Sequence, residues 1–476
     1  MDFIVEKHFI RQLKIAQVLI DSPVPVPINE LVSTINVVPN TLKSDLEELN
    51  GRMTPTWSFD IKEKKVCMKK PPDENYLSIY TKYLKDGFLY KFLLETFKST
   101  KLNTIKLCET LLISHSHLYK KISLVQELLP QDVNINFSDL SLTGNEIKIR
   151  YIYFSLITLS QSPKDFCIFE GLINEARLIV KNIERDLDIE FPVYYKNAYN
   201  IWIAVCNRRA KYTIDLKNMY FKNPIYQLLK HNKKNWLLGE VSNNELQLLS
   251  IIWYVFPFPY FLKSNMISKL INYYEITYSS EFTMAKKIID GGIDFSHANK
   301  YKLFLLLVVE SLISLPIIET FTLIDNHIKQ YKGRLLNTTV IERKISSVSI
   351  QNNHDYTKKQ ISILSHIISS HLIELTNQIL ESPIHIVVCS RYGFIEEQYL
   401  SNLINSKYPE LVIAFPSTFS QNKQSDIIIS DFLKNDTLNE CFNKKEILCW
   451  ENPVILRNWD ELEYLLFKII KKMLVK

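Results

Sequence analysis

A spaced set of apolar residues occurs twice in the first third of the chain. Five apolar positions, separated by four, two, five and four residues, recur 76 residues further along. The two sets are Leu31, Ile35, Val37, Leu42 and Leu46, and Leu107, Leu111, Ile113, Leu118 and Ile122. This spacing puts two apolar residues on one short helix, one in a turn and two on the next helix. The pattern predicts two copies of a helix-turn-helix.

Residues that favour a helix start agree with this register. Pro39 stands in the first turn of one second helix, where a missing N–H is tolerated, and Ser114 stands at the N-cap of the other. Upstream of each pair, residues 9–20 and 80–97 are amphipathic and predict a third helix. Each copy is therefore predicted to be a trihelical bundle.

Alternating apolar and polar residues follow each predicted bundle and indicate a β-hairpin. The predicted strand, turn and return strand cover 57–61, 62–65 and 66–68 in the first copy, and 133–137, 142–145 and 147–149 in the second. A hairpin in this place is the wing of a winged helix. The sequence therefore predicts two winged helix-turn-helix units.

The solvent face of each second helix carries groups that suit duplex DNA. Amides, hydroxyls and imidazoles hydrogen-bond base edges, whereas lysines bind phosphate and make affinity dependent on salt. The predicted DNA-binding residues are Asn40, Thr41, Lys43 and Ser44 of the first copy, Lys64 and Lys65 of its wing, and His115, Ser116, His117, Tyr119, Lys120 and Lys121 of the second copy.

The two copies differ in charge. The wing of the first copy carries three further lysines, Lys62, Lys69 and Lys70. The second helix of that copy, however, carries three acidic residues. These are Asp45, Glu47 and Glu48. We expect the second copy to be the main DNA anchor.

The apolar pattern divides the rest of the chain into two helical stretches and a segment of strands and helices. Helix-period apolar stretches cover about 162–277 and 280–380, and from residue 383 strands alternate with helices. The fold class is mainly α and multidomain, with a C-terminal α/β domain. The predicted boundaries are 1–72 and 73–160 for the winged helices, 161–278 and 279–382 for two helical domains, and 383–476 for the last domain.

Composition narrows the chemistry. With 476 residues and 46% hydrophobic content, the chain is long enough for several cores, and a net charge of +6 is mild. Its 7 cysteines include no CxxC pair, and its 9 glycines form no phosphate-binding loop motif. The sequence predicts no catalytic residue, no metal site and no cofactor.

No membrane span or export signal is predicted either. Pro257 and Pro259 interrupt the apolar run at 246–262, and Glu310 interrupts the run at 303–318. The N-terminus lacks the features of a secretory signal. We expect a cytoplasmic protein without a membrane partner.

These features resemble the Mga/AtxA family of virulence regulators from low-GC Gram-positive bacteria. The resemblance rests on the paired units and most specifically on the segment LTGNEIKIRYIYFSLI, which runs from the second wing through Arg150 into a helix. It implies that the helical domains are PTS-regulation domains, opening at NAYNIWIAVCNRRAKY and HANKYKLFLLLVVESL, and that the last domain is similar to enzyme IIB.

The resemblance also implies phosphorylation sites. In the family, histidines of the PTS-regulation domains accept phosphate, and the candidates here are His297, His366 and His371, with the phosphocarrier protein of the sugar phosphotransferase system as the partner. Enzyme IIB proteins carry phosphate on a cysteine after the first strand, which Cys389 matches. The bulky residues around Gly393 leave little room for a phosphate cradle, so we expect no catalytic phosphotransfer there.

The predicted function is a DNA-binding transcription regulator, an activator of global or virulence genes. The resemblance implies a homodimer, joined mainly through the C-terminal domain and modulated by histidine phosphorylation. The alternatives are an RNA-binding antiterminator, and a phosphotransfer or scaffold protein that does not bind duplex DNA. An antiterminator would begin with a small β RNA-binding module rather than with winged helices.

Overall fold

The fold was obtained as a computed structural model. It describes residues 3–22, 24–53, 57–99, 102–130, 132–160, 169–210, 212, 223–233, 241–256, 258–289, 298–320, 338–351, 356–376, 384–408, 412–417, 425–432 and 446–474. The residues group into two compact units, one formed by Met1–Gly171 with Ser425–Lys476 and one formed by Leu172–Gln424.

The first unit begins with two helix-and-hairpin modules. Their helices are α1 Lys7–Asp21, α2 Ile28–Ile35, α3 Pro39–Met53, α4 Tyr76–Asp86, α5 Phe88–Lys98, α6 Thr104–Leu111, α7 His115–Leu128 and α8 Glu146–Ser160. Their strands are β1 Val26–Pro27, β2 Ser58–Lys62, β3 Lys65–Lys69, β4 Val133–Ile135 and β5 Leu142–Gly144. A short helix followed by a longer one occurs at each of the two predicted positions, as α2 with α3 and as α6 with α7.

The first wing has the predicted hairpin. β2 pairs antiparallel with β3, with Phe59 opposite Met68, and β1 pairs with the other edge of β3. Glu63 and Lys64 both have positive φ, which suits the two-residue turn that matches the twist of a hairpin. The charged turn predicted at 62–65 is therefore confirmed.

The second wing corrects the predicted register. β4 pairs with β5, so residues 142–144 form the return strand and 136–141 form the turn. Asp139 accepts hydrogen bonds from Ser141, which stabilises this earlier turn. Gly144 is needed because a Cβ there would lie 2.1 Å from the Asp132 carbonyl oxygen. The predicted turn was wrong because a close backbone approach, rather than a turn, requires this glycine.

The single helix predicted over 80–97 is also corrected. The chain forms two helices, α4 and α5, because Gly87 adopts an extended conformation between them. Asn75 caps α4 in a capping box with Ser78. The apolar periodicity continues across the break, so the pattern by itself did not show it.

The described residues of the C-terminal part of the first unit, 425–432 and 446–474, form two strands and a helix. β8 Ile427–Ser430 pairs in parallel with β9 Glu446–Cys449, and the helix that ends the chain is α20 Leu456–Leu474. Trp450 is fully buried beside Trp459, at a ring-centroid distance of 5.0 Å. The strands predicted at DIIIS and EILCW and the helix predicted near the C-terminus are present in the described residues.

The second unit is mostly helical. Its helices are α9 Phe169–Leu187, α10 Val193–Arg209, α11 Pro224–Asn232, α12 Asn243–Ser250, α13 Ile252–Val255, α14 Ser264–Thr277, α15 Ser279–Ile289, α16 Ala298–Thr320, α17 Thr338–Gln351, α18 Lys358–Thr376 and α19 Phe394–Lys407. The parallel strands β6 Ile384–Cys389 and β7 Val412–Pro416 pair next to α19. Within the described part of the chain, no helix is long and apolar enough to cross a membrane.

A buried carboxyl lies in the core of the second unit. Trp253 Nε1 donates to Glu310 Oε1 at 2.9 Å, and the hydroxyl of Tyr274 donates to the same oxygen at 3.1 Å. All three side chains are buried. Burial raises the pKa of Glu310 to about 8, against the smaller opposite effect of the two hydrogen bonds. The carboxyl that interrupts the apolar run of α16 is therefore a protonated core residue at neutral pH.

Candidate nucleic-acid interface

The two helix-turn-helix copies share burial and backbone geometry. In each, the first and the last two residues of the apolar set are buried and the middle two are half-buried. The turns also match, because Asn36 and Leu112 are both left-handed C-caps and lie 76 residues apart. The next residue donates its N–H five positions back in both copies, from Val37 to Val32 and from Ile113 to Cys108. The internal repeat is therefore structural.

Leu112 is strained and exposed, so its replacement is expected to stabilise the second copy. Its φ is 54° and its side chain is 90% exposed. Glycine adopts this conformation without a steric cost, so Leu112→Gly is expected to raise the free energy of unfolding by about 0.5–1 kcal/mol. Leu124→Gly, within α7, is the control and is expected to lower it by about 1 kcal/mol. Thermal denaturation of both variants measures the difference.

The predicted contact residues of α3 lie on one face. Asn40, Lys43 and Ser44 are exposed and Thr41 is half-buried. Lys43 lies 4.0 Å from Glu47 on the same exposed face, a spacing that contributes little stability. This face can present an amide, a hydroxyl and one cation to DNA.

Two of the three acidic residues of α3 point away from that face. Asp45 is buried against α1, where Arg11 Nη2 donates to it at 2.8 Å, and Glu48 accepts a hydrogen bond from Gln12 at 2.7 Å. Arg52 also pairs with Glu48 at 3.1 Å. The acidity of α3 is thus largely paired within the unit, and Glu47 is the acid that remains on the exposed face with Lys43.

The equivalent face of α7 is more basic. His115, Ser116, His117 and Lys120 are exposed, and Tyr119 is half-buried. Ser114 caps the helix by accepting the His117 N–H at 3.3 Å, as its position predicted. The cap fixes the start of α7 at His115, so the exposed side chains of His115, Ser116 and His117 lie in its first turn. This arrangement favours the second copy as the stronger anchor.

Lys121 does not lie on the exposed face of α7, although it was predicted to bind DNA. Its side chain is 25% exposed, pairs with Glu6 at 3.5 Å and lies over the ring of Phe88 at 5.0 Å. Glu6 also accepts the Phe88 N–H at 2.9 Å, at the start of α5. Lys121 therefore holds the N-terminal segment against the second copy, and its replacement would disturb packing as well as charge.

An aromatic pair joins α7 to the second wing. The rings of Tyr119 and Phe137 are nearly parallel, with centroids 6.2 Å apart, and His115 lies 4.8 Å from Tyr119. Phe137 stands in the wing turn and is 46% exposed. The sequence analysis placed Phe137 in a strand and assigned it no contact role. Its exposure and its contact with Tyr119 are visible only in the folded chain, so the sequence carried no signal for this pair.

The first wing is basic at its tip. Lys64 and Lys65 are exposed at the hairpin turn, and Lys62 pairs with Asp60 at 2.6 Å. Lys70 does not belong to this surface, because its side chain is only 1% exposed. The expectation that Lys70 adds to the basic wing was wrong, since the chain leaves β3 toward the interior at this point.

The phosphoacceptor candidates lie outside this interface. His297 lies outside the described residues. Burial lowers the pKa of half-buried His366 to about 4 and that of buried His371 to about 3. The hydroxyl of Tyr260 lies 3.0 Å from His371 Nδ1. A phosphocarrier has no access to an imidazole in that position, so burial argues against His371.

The loop after Cys389 is filled by side chains of its own unit. Ser390 N–H donates to Glu397 at 3.1 Å, and the N–H of Ser417, after β7, donates to the same carboxylate at 3.1 Å. The Phe394 N–H donates to the Tyr195 hydroxyl, whose oxygen lies 2.3 Å from where a Cβ of Gly393 would be. Ligands of α/β folds bind at such strand ends. Here a carboxylate and a phenol already take the amide donors.

Comparison with known proteins was consistent with this geometry. Residues 72–157, which contain α4 to β5 and most of α8, match the model of the Mga helix-turn-helix domain. The chain is 21% identical over 456 residues to the anthrax toxin expression trans-acting positive regulator of Bacillus anthracis, covering 90% of this chain and 93% of that protein.

The chain is related to the Mga/AtxA regulators. The resemblance inferred from the sequence is therefore confirmed. Mga/AtxA proteins are transcription regulators and not enzymes. The matched region coincides with the second winged helix, which is the copy with the more basic recognition helix.

Proposed function

We propose that this Mga/AtxA relative is a transcription regulator that binds duplex DNA through both winged helices. The observation that carries the proposal is the duplicated helix-turn-helix, with the same seam and the same left-handed turn in each copy. The match to the Mga helix-turn-helix domain and the likeness to a positive regulator of toxin expression support activation of virulence genes.

Within this function, α7 supplies the main anchor. Lys120 contacts a phosphate, and His115, Ser116 and His117 approach base edges from the first turn of the helix. The second contact is made by α3 and the first wing, through Asn40, Thr41, Lys43, Ser44, Lys64 and Lys65. The Tyr119–Phe137 pair adds an apolar contact, for which the thymine methyl and the deoxyribose are the complementary groups.

A salt titration separates the charged contact from the apolar one. A DNA duplex is first selected from a random library with the wild-type chain. The affinity of each variant for this duplex is then measured at several salt concentrations. Lys120→Ala is expected to weaken binding several-fold and to make the slope of log affinity against log salt shallower by about 0.9, the effect of one lost phosphate contact. Phe137→Ala is expected to weaken binding with the slope unchanged.

The controls are matched in charge and in target. Lys181→Ala removes an exposed lysine from α9 and should leave affinity and slope as in the wild type. Single-stranded RNA of the same sequence tests the antiterminator alternative. If the wild type binds the RNA and selects no duplex, the DNA-binding proposal fails.

Dimerisation and phosphorylation complete the proposal. We propose a homodimer joined mainly through the C-terminal α/β segments, which light scattering of the purified chain tests directly. We also propose PTS-type regulation of the helical body, with His297 and His366 as phosphoacceptors. Incubation with the phosphocarrier protein followed by mass mapping of phosphohistidine tests both positions. The five-domain division and the enzyme-IIB likeness remain predictions.

A further inference from the structure

The segment that joins the two winged helices is held by the far end of the chain. Lys70, just after β3, donates to the Cys449 carbonyl oxygen at 3.3 Å across 379 residues of sequence, and it pairs with Glu461 of α20 at 3.2 Å. A lysine buried to this degree is stable only when its charge is partnered. Lys70 is therefore committed to this contact.

Backbone and side-chain hydrogen bonds continue the contact up to α4. The Cys449 N–H donates to the Pro72 carbonyl at 3.0 Å, and Asn75 Nδ2 donates to the Trp450 carbonyl at 3.0 Å. The Tyr76 N–H donates to both oxygens of Glu451, at 2.9 and 3.0 Å. A carboxylate is stabilised at a helix N-terminus, where N–H groups are free and the helix dipole is positive. Glu451 thus fixes the start of α4.

The helix α4 connects the two copies, because it opens the matched region of the second copy and packs against α1 of the first. The first wing precedes it, and α5 of the second copy follows it. Along its length, the Tyr83 hydroxyl donates to Gln12 of α1 at 2.9 Å. Just beyond its end, Glu6 holds the first N–H of α5 and Lys121 of α7. The position of α7 relative to α3 therefore depends on contacts at both ends of α4.

We propose that residues 449–461, the C-terminal clamp, set the separation and orientation of the two recognition helices. Because helices on a rigid spacer read two DNA segments at a fixed distance, the clamp determines the spacing between the two contacted segments. This consequence for DNA rests on the proposed function. Glu451 and Glu461 are positioning residues that act through Tyr76 and Lys70.

A distance measurement tests the clamp without DNA. Spin labels are attached to noncanonical residues placed at the exposed positions Ser44 of α3 and Ser123 of α7 in the full-length chain, which leaves the native cysteines untouched. Wild type is expected to give one narrow distance distribution by pulsed electron paramagnetic resonance. The double variant Glu451→Ala with Glu461→Gln is expected to give a broader one.

The matched control is Asp460→Asn, which removes one charge from the exposed neighbour of Glu461 on the same helix. It should keep the wild-type width. Glu451→Gln retains an oxygen acceptor for the Tyr76 N–H and should restore most of the narrow distribution when it replaces Glu451→Ala. If the double variant does not fold, the single Glu461→Gln variant takes its place. Equal widths in wild type and in a folded clamp variant overturn the proposal.

Selection from random duplex DNA tests the consequence for spacing. Wild type should enrich paired motifs at one spacing, whereas the double variant should enrich the same motifs at several spacings. If both keep one spacing, the clamp does not set it. If wild type selects no duplex, the proposed function fails, and the clamp is judged by the distance distribution alone.

Discussion

Glu310→Gln is expected to raise the thermal stability of the helical unit at pH 8 and to change it little at pH 4. The buried carboxyl has a pKa of about 8 in the folded chain against an ordinary value of 4.5. Below 4.5 both states are protonated, so ionisation costs no stability. Between 4.5 and 8 only the unfolded state ionises, so wild type loses stability as pH rises, up to several kcal/mol at about 1.4 kcal/mol per pH unit.

Glutamine removes this pH dependence while keeping the fold's hydrogen bonds. Its amide oxygen accepts the bonds that Trp253 and Tyr274 donate to the carboxyl. Calorimetry from pH 4 to pH 9 measures the difference in unfolding temperature. Glu275→Gln, at an exposed pair with Lys286, is the control and should show no such trend. A Glu310→Gln profile parallel to wild type would contradict the protonated core carboxyl.

Asp45→Ala is expected to destabilise the first winged helix by about 3 kcal/mol. Asp45 is 3% exposed and accepts hydrogen bonds from Arg11 and Gln12 of α1, so its removal leaves their donors without this acceptor. Chemical denaturation, followed by hydrogen exchange in α1 and α3, measures the loss and locates it.

Glu47→Ala is the matched control for this helix. Glu47 lies two residues away on the exposed face, and its charge is 4.0 Å from Lys43. The same truncation should there change the free energy of unfolding by about 0.5 kcal/mol or less. Equal losses in both variants would show that Asp45 makes no buried ion pair.

Part of the candidate interface was predictable from the sequence. The repeat located both turns, the N-cap at Ser114 and the first wing, because these depend on local spacing. It did not separate Asp45 and Glu48 from Glu47, since charge is visible in a sequence but its partner is not. The sequence also placed Lys70 in the basic wing and Lys121 among the DNA-binding residues, although both side chains form ion pairs within the first unit.

The predicted register of the second wing was wrong for a different reason. Alternation at 147–149 is as compatible with the start of a helix as with a strand, and Asn145 accepts the Lys148 N–H at 3.2 Å at the start of α8. The Gly144 signal indicated a turn, whereas the glycine serves a close approach to Asp132. Local patterns gave the presence of a wing without its register.

The sequence by itself determined the duplicated helix-turn-helix, the helical body and the alternating C-terminal strands, because periodicity and caps act between residues a few positions apart. The tertiary structure decided which charges remain for DNA, why Glu310 is protonated and how residues 449–461 hold residues 70–76. These features depend on burial and on partners that lie from 34 to 379 residues away in the sequence. Desolvation and long-range pairing have no periodic signal, so only the folded chain reveals them.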